Sequence, residues 1–308
     1  MRNGILTLMT SAVLMVMLAL CSCEKMVTEE NDERPGSDTA GNLILKVLAT
    51  GTRTDAAPWK TLNFVLFQEG AKVKAVTQKE GDTGFGEVSM TLTPGTYQVM
   101  VLGHSSASNP SLSNPENVKF TNENGFSDTF VAYKSIVVEE TAKTHEIEMV
   151  RASSMVRFKT NDPKPEAVKK VRFYYVGGSG AINVLTGYGV DKSKQTVMID
   201  LPDTMTGQPL QFELYTFART DDATLTLTVN MFDADGNLLS YPGMVEGARV
   251  FTDIPIKKNQ ITECAGNFFS ANSQQPGNDN PSSPADHTGT SFVLIVNAEW
   301  GSVVSYNY

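Results

Sequence analysis

Nucleophiles, bases and metal ligands are few and scattered in these 308 residues. The cysteines are Cys21, Cys23 and Cys264, and the histidines are His104, His145 and His287. No CxxC pair is present, so no zinc centre is expected, and the cysteines do not form a disulfide framework. Cys264 lies in Asn259-Gln-Ile-Thr-Glu-Cys-Ala265 and reads as a small buried hydrophobe. His104-Ser105-Ser106 sets hydroxyls beside a base. That triplet opens a stretch rich in Ser, Asn and Pro with no third group evident, and a surface loop is expected. Asp233-Ala-Asp-Gly-Asn237 carries carboxylates but lacks the closing Glu of an EF-hand. A hairpin turn is expected there, with a weak calcium site as the alternative. Gly177-Gly-Ser-Gly180 has neither the Lys-Ser/Thr nor the helix of a phosphate loop and reads as a flexible connection. Trp59 and Trp300 have the shape to stack on sugars, although tryptophans at strand edges more often fill cores. No catalytic residue, metal or cofactor is expected, so the chain does not read as an enzyme.

Cys23 is different, because its neighbours give it a role. Met1-Arg2-Asn3 is a short positive region, and Ile5 to Leu20 is almost wholly apolar. The run is shorter than the roughly 20 residues a spanning helix needs and fits a secretory signal, residues 1–22. Leu20-Cys21-Ser22-Cys23 resembles the lipobox of bacterial lipoproteins: an aliphatic residue, two tolerated residues ending in a small one, then the modified Cys. Cys21 fits worse, because it would put Leu20 at the small position. The resemblance implies diacylglycerol on the Cys23 sulfur and an acylated amino group. Each buried CH2 is worth about 0.8 kcal/mol, so two or more chains hold firmly where one binds marginally.

Residues 23–41 read as a solvated tether, with Glu29-Glu-Asn-Asp-Glu33 followed by Pro35-Gly-Ser37. The acidic run also resembles the surface-export signal of Bacteroidetes lipoproteins, although it starts several residues late. The formal charge is −9. Removing residues 1–22 takes away Arg2 and no acid, leaving 24 basic and 34 acidic residues, a net charge of −10. That opposes nucleic-acid binding and attachment to membranes by charge alone.

The body that Cys23 would hold reads as all-β. No segment sustains a helical period, and short β-rich runs recur between Gly, Pro, Asn and Asp. In one half the runs are Leu43 to Val47, Leu62 to Phe67, Val88 to Leu92, Tyr97 to Leu102, Ser135 to Val138 and His145 to Val150. A polar loop is expected from His104 to Gly125. A second half repeats the order, from Met155-Val-Arg-Phe158 to Gln260-Ile-Thr-Glu-Cys264, with Leu210 to Phe217 expected to match the Tyr97 strand. About seven strands in roughly 110 residues point to a Greek-key sandwich, because one sheet alone cannot bury its apolar face. Two tandem sandwiches are therefore expected, at 42–151 and 152–270, with the boundary at Arg151-Ala-Ser-Ser154 and the two abutting. Residues 271–289, rich in Gln, Pro, Gly, Asn and Ser, read as a flexible linker. In the last segment, 290–308, Phe292, Val293, Leu294, Ile295 and Val296 lead to Trp300 as strand material apolar on both faces. Such a run must be buried between layers.

Several segments together resemble the FimB-type anchor subunits of Bacteroidetes fimbriae. The carrying stretches are Gly51-Thr-Arg-Thr54, Trp59-Lys-Thr-Leu-Asn-Phe-Val-Leu-Phe67, Gly95-Thr-Tyr-Gln98, His104-Ser-Ser106, Phe120-Thr-Asn122, Gly125-Phe-Ser-Asp128, Val168-Lys-Lys-Val-Arg-Phe-Tyr-Tyr175 and Gly187-Tyr-Gly189. They cover most of residues 43 to 217, and the likeness fades after about residue 220. The resemblance implies a lipoprotein with two transthyretin-like sandwiches that fixes the base of a fimbria in the outer membrane, with pilins as partners. Polymerising relatives exchange strands after cleavage behind an Arg near the amino terminus, a place comparable to Arg53, whereas anchors are thought to escape that cut.

Strand exchange needs an extended donor and an open sheet edge. Here Phe292 to Trp300 is the expected donor, and the alternative is that it folds back on its own second half. A second function class is glycan binding through an aromatic platform. Aromatics on exposed loops would favour it; buried aromatics with an open sheet edge would favour assembly. Asp38-Thr39-Ala40 and Asp203-Thr204-Met205 resemble the short O-glycosylation signal of the same bacterial group.

Overall fold

The computed structural model describes residues 42–48, 58–123 and 126–270, and the backbone of 293–297. Among them the protein is all-β, with no α-helix and a single 3-10 turn at Asp203–Met205. The exposed Asp203-Thr204-Met205 triplet is that turn, held where Lys169 donates to Asp203. Asp38-Thr39-Ala40 lies outside the described residues.

The first half supplies β1 (Leu43–Leu48), β2 (Thr61–Gln68), β3 (Ala71–Lys79), β4 (Glu87–Met90), β5 (Gly95–His104), β6 (Val118–Lys119), β7 (Phe130–Val138), β8 (Lys143–Glu148) and β9 (Val150–Arg151). Its sheets run β4-β1-β8 and β3-β2-β5-β7-β9. The second half supplies β10 (Ser154–Thr160), β11 (Lys170–Val176), β12 (Ala181–Asn183), β13 (Tyr188–Gly189), β14 (Lys194–Asp200), β15 (Gln211–Thr216), β16 (Thr224–Phe232), β17 (Leu238–Leu239), β18 (Ala248–Pro255) and β19 (Ile261–Gly266), followed by β20 (Val293–Asn297). Its sheets run β15-β10-β19-β20 and β14-β11-β16-β17, with β18 also paired to β16.

The repeat is stricter than the sequence suggests. In the first half β1 pairs antiparallel with β4 and parallel with β8, and in the second β10 pairs antiparallel with β15 and parallel with β19. Leu43 thus lies opposite Lys143 in one half and Met155 opposite Ile261 in the other. The strands β1, β2, β3, β4, β5, β7 and β8 correspond in pairing to β10, β11, β14, β15, β16, β18 and β19. This corrects one expected match: the strand from Leu210 to Phe217 holds β15 and corresponds to β4, and the partner of the Tyr97 strand is β16. The confusion comes from β3, which pattern reading overlooks. Its Lys72, Lys74 and Lys79 make it look like a polar loop, and lysines are how an edge strand resists unwanted pairing.

Three cores hold the molecule together. Leu43 and Leu45 of β1 meet Leu62, Phe64, Val99 and Val101 from the facing sheet, with Trp59 packed edge-on to Phe130 at 5.2 Å. In the second half Phe158, Phe173, Phe212 and Phe268 form an aromatic centre, Phe173 and Phe212 being 5.0 Å apart. Each fully buried ring contributes about 1.5–3 kcal/mol. The third core lies between the halves: Val65, Phe67, Met100 and Leu102 on the reverse face of the β2/β5 sheet meet Ile182, Val184 and Phe217. That sheet is covered on both sides, which explains why β2 is buried along seven of its eight residues and why its sequence does not alternate.

Two expected loops turn out to be parts of this joint. Within the 104–125 stretch, β6 pairs with β12 of the second half, and Val118 and Phe120 are buried. Ser179 of the Gly177–Gly180 segment is fully buried and bridges to Phe217. A Cβ at Gly177 would lie 2.1 Å from the Thr224 carbonyl oxygen, and one at Gly178 would lie 2.1 Å from Thr216 Oγ1. The glycines are there because the chain passes too close for side chains, so the segment is a packed joint, and flexibility has no part in it. Residues Ala152, Ser153 and Ser154, where the sequence places the boundary, are buried as well.

Candidate functional site

The sheet edges are where this architecture can meet a partner. Edge strands present unpaired N–H and C=O groups, and an extended segment can complete them. The outer edge of β19 is filled by β20, which runs antiparallel with Ile261 opposite Asn297, Thr262 opposite Val296 and Ala265 opposite Val293. The corresponding strand of the first half is β8, and no described strand pairs with its outer edge. Among the described residues the two halves therefore differ by one strand at an equivalent place.

Ion pairs tie the β19 edge to its neighbours. Residues of its outward face form a charged ladder across three strands: Arg157 of β10 reaches Glu213 of β15 at 3.0 Å and Glu263 of β19 at 3.6 Å, and Lys159 reaches Glu263 at 2.8 Å. Cys264 on the same strand belongs to the second core and is buried as the sequence suggests. Burial, with Glu263 adding to it, pushes its thiol up to about 12. The thiol is therefore protonated and a poor nucleophile.

Beyond β19 the chain is clamped. The Asp162 carboxylate accepts the backbone N–H groups of Phe268, Phe269 and Ser270 at 2.7, 2.6 and 2.7 Å, and the Ser270 hydroxyl at 3.0 Å. From the other side the buried Arg249 donates to the carbonyls of Phe268 at 2.7 Å and Ser270 at 3.4 Å. Burial lowers the Arg249 pKa, and the nearby Asp162 opposes that shift. The last described residues before the C-terminal segment are thus gripped on both their donors and their acceptors. Neither residue was singled out from sequence. Asp162 sits in a loop signature, Asn161-Asp-Pro163, which gives no hint of partners over a hundred positions away.

The other approach to an edge is through β1. It is the central strand of its three-stranded sheet, and the Asn42 side chain fixes its entry. Asn42 Nδ2 donates to the carbonyls of Leu92 and Glu139, both at 2.8 Å, and its Oδ1 accepts the Leu92 N–H at 2.8 Å.

Of the residues singled out in the sequence, Cys23, Arg53, Phe292 and Trp300 lie outside the described residues, and Val293, Leu294, Ile295 and Val296 are the backbone of β20. Trp59 is core. His104 is not on a surface loop: it is fully buried at the end of β5. Its Nδ1 accepts the Ser106 N–H at 3.2 Å, so Nε2 carries the proton and donates to Asn63 Oδ1 at 3.1 Å. Burial lowers its pKa to about 4. Ser106 meets His104 through its backbone, and its hydroxyl contacts Ser127 at 3.2 Å. Asp233 closes a hairpin turn, accepting the N–H groups of Asp235 and Asn237 at 3.0 and 2.8 Å. No described Phe, Trp or Tyr is fully exposed.

Several solved structures are similar to this chain. A fimbrial assembly protein of Parabacteroides distasonis is 11% identical, covering 87% of this chain and 99% of its own, with a TM-score of 0.44. A fimbrial anchor protein of Porphyromonas gingivalis is 10% identical over 87% of this chain and 100% of its own, TM-score 0.43. A Bacteroides thetaiotaomicron protein provisionally called polysaccharide-binding is 13% identical over 86% and 98%, TM-score 0.46. No curated protein matches the sequence. Residues 66–282 match the family of unknown function DUF6562, and the chain belongs to that family.

Proposed function

We propose that this protein is a non-enzymatic outer-membrane lipoprotein, the anchor or an accessory subunit of a fimbria, which holds pilins at the cell surface by β-strand pairing. In this reading Cys23 carries the lipid, residues 23–41 are the tether, and 42–151 and 152–270 form two transthyretin-like Greek-key sandwiches. The observation that carries the reading is the pairing of β20 on the β19 edge, while the equivalent β8 edge has no described partner. Residues 271–292 separate the Asp162 clamp from β20. A chain of that length spans up to roughly 75 Å when extended, enough to lay Val293–Asn297 on this molecule or on a neighbour. The aromatics favour the same reading, since none of the described ones is fully exposed.

Deleting the gene should leave fimbriae shed into the medium, and normal retention on cells would overturn the reading. Cys23→Ala should release the protein from membranes; acyl label still attached to that variant would show that another residue is lipidated. Donation itself is tested by pairing Thr262→Cys with Val296→Cys, which are opposite each other in the β19–β20 register. If β20 is donated, locking it by a disulfide should release fimbriae, and reduction should restore retention. Fimbriae held equally well by the locked protein would mean that β20 stays at home.

A further inference from the structure

A groove of about 570 Å³ opens at the joint, beside the outer edge of β8. Leu48, Val131, Ile147 and Val184 supply its apolar lining, and Val150 and Leu185 beside them stand 58% and 47% exposed. Residues 146–148 of β8 and 131–134 of β7 lie along its walls. β9 pairs with β7 only at Phe130 and Val131, so beyond them the outer edge of β7 has no described partner either. Glu146 and Glu148 stand with Lys134 and Lys258 around the groove, and charges of both signs favour neither a free cation nor a free anion. Unpaired main chain beside aliphatic side chains is what receives an added strand.

The end of β20 points to which strand that is. β20 runs antiparallel to β19 and stops with Asn297 opposite Ile261. Ile261 follows closely on Lys258, which lines the groove and donates through Nζ to the carbonyl of Thr186, another lining residue, at 3.1 Å. From Lys258 to Ile261 the chain spans at most roughly 11 Å, so β20 ends within reach of the groove. The direction fits as well. β8 runs toward the joint and ends with Glu148 in the groove wall. A chain continuing past Asn297 in the sense of β20 runs the other way and meets β8 antiparallel. Residues 298–308 reach roughly 36 Å when extended, against a rise of about 20 Å for β8, which leaves several residues for the crossing. The segment reads Ala298-Glu-Trp-Gly-Ser-Val-Val-Ser-Tyr-Asn-Tyr308. Trp300 supplies one large apolar side chain at the distance of the groove, and valines and tyrosines suited to a strand follow it.

We propose that residues 298–308 of this same chain cover the groove, Trp300 on its aliphatic lining and the residues after it added to β8 as an antiparallel strand. Both halves then carry an extra strand at the equivalent edge, one from β20 and one from the residues that follow it. Because the cover continues β20, whatever draws β20 off β19 also lifts the cover from β8, and the two edges open together. The proposal stands whether or not the protein anchors a fimbria, and its test involves no fimbriae.

Hydrogen exchange of residues 143–149 in the full-length protein is compared with that of a chain ending at Asn297. The outward amides of β8 should exchange roughly tenfold faster or more in the shortened chain, the effect of losing a hydrogen bond at each, while those of β5 and β16 stay the same. Trp300 emission, taken as the difference between the wild type and Trp300→Phe, should be blue-shifted and resist acrylamide. Leu185→Glu, at an exposed position, should shift that emission toward the red and make quenching several-fold easier; this readout decides if the shortened chain does not fold. Equal exchange in the two chains overturns the proposal, as does Trp300 emission like that of free tryptophan or left unchanged by Leu185→Glu. Protection of β8 that fades on dilution would put a second copy's segment in the groove, and overturns it equally.

Discussion

The carboxylate of Asp162 accepts the backbone N–H of Phe269, 107 residues further along the chain, at 2.6 Å. The same group also holds Phe268 and Ser270, so one side chain satisfies three consecutive backbone donors at the root of the C-terminal segment. Asp162→Ala should therefore lower stability by about 3 kcal/mol or more, because stranded buried donors each cost about 1–3 kcal/mol. Urea denaturation measures it, and hydrogen exchange should speed up at 268–270. A loss under about 0.5 kcal/mol, the range of an ordinary surface change, would show that water replaces the clamp freely.

His104 makes the fold sensitive to acid. Its pKa is lowered from the usual 6.5 to about 4 by burial, so the unfolded chain takes up the proton first. The stabilisation is complete above pH 6.5, declines as the pH falls, and levels off below pH 4 at a loss of about 3 kcal/mol. His104→Gln, which cannot titrate, should reduce the difference in unfolding free energy between pH 7 and pH 4.5 by about 2 kcal/mol. An unchanged difference would place the acid sensitivity elsewhere.

The packed joint predicts a contrast between glycines. Gly178→Ala would push a methyl into Thr216 Oγ1 and should cost about 3 kcal/mol or abolish folding. Gly207 has a positive φ of 78° but open space around it, so Gly207→Ala should cost about 1 kcal/mol through backbone strain alone. Melting temperatures of the two variants decide the matter; equal shifts would contradict the steric argument.

Cys264 should resist iodoacetamide in the native protein and react once the chain is unfolded, since burial both covers the thiol and pushes its pKa up to about 12. Rapid alkylation under native conditions would mean that the β19 edge opens readily.

The sequence carries the all-β class because its alternating runs, such as Val88 to Met90, need only a period of two to be recognised. It carries most strands of the seven-strand repeat for the same reason. It does not carry β3, whose lysines look like loop, nor β6, whose Val118-Lys119 pair is too short to stand out until β12 lies beside it. The cost of missing β3 was a shifted correspondence between the halves. Gly177 to Gly180 looks mobile in one dimension because glycine is permissive; only the packing shows that Thr216 and Thr224 exclude anything larger. The candidate edges were legible only as a strand-like run near the end of the chain. The Asp162 and Arg249 clamp was not legible at all, because contacts over such separations leave no local pattern.

The placement of β1 has a mechanical consequence. Tension on the amino-terminal side of Asn42 would act along the axis of a strand whose ladders to β4 and β8 lie crosswise to the pull. Loaded in that direction the bonds share the force and must rupture together, where a strand peeled from one end would lose them singly. If the chain is anchored ahead of Asn42 as proposed, the load falls on the bonds best arranged to share it.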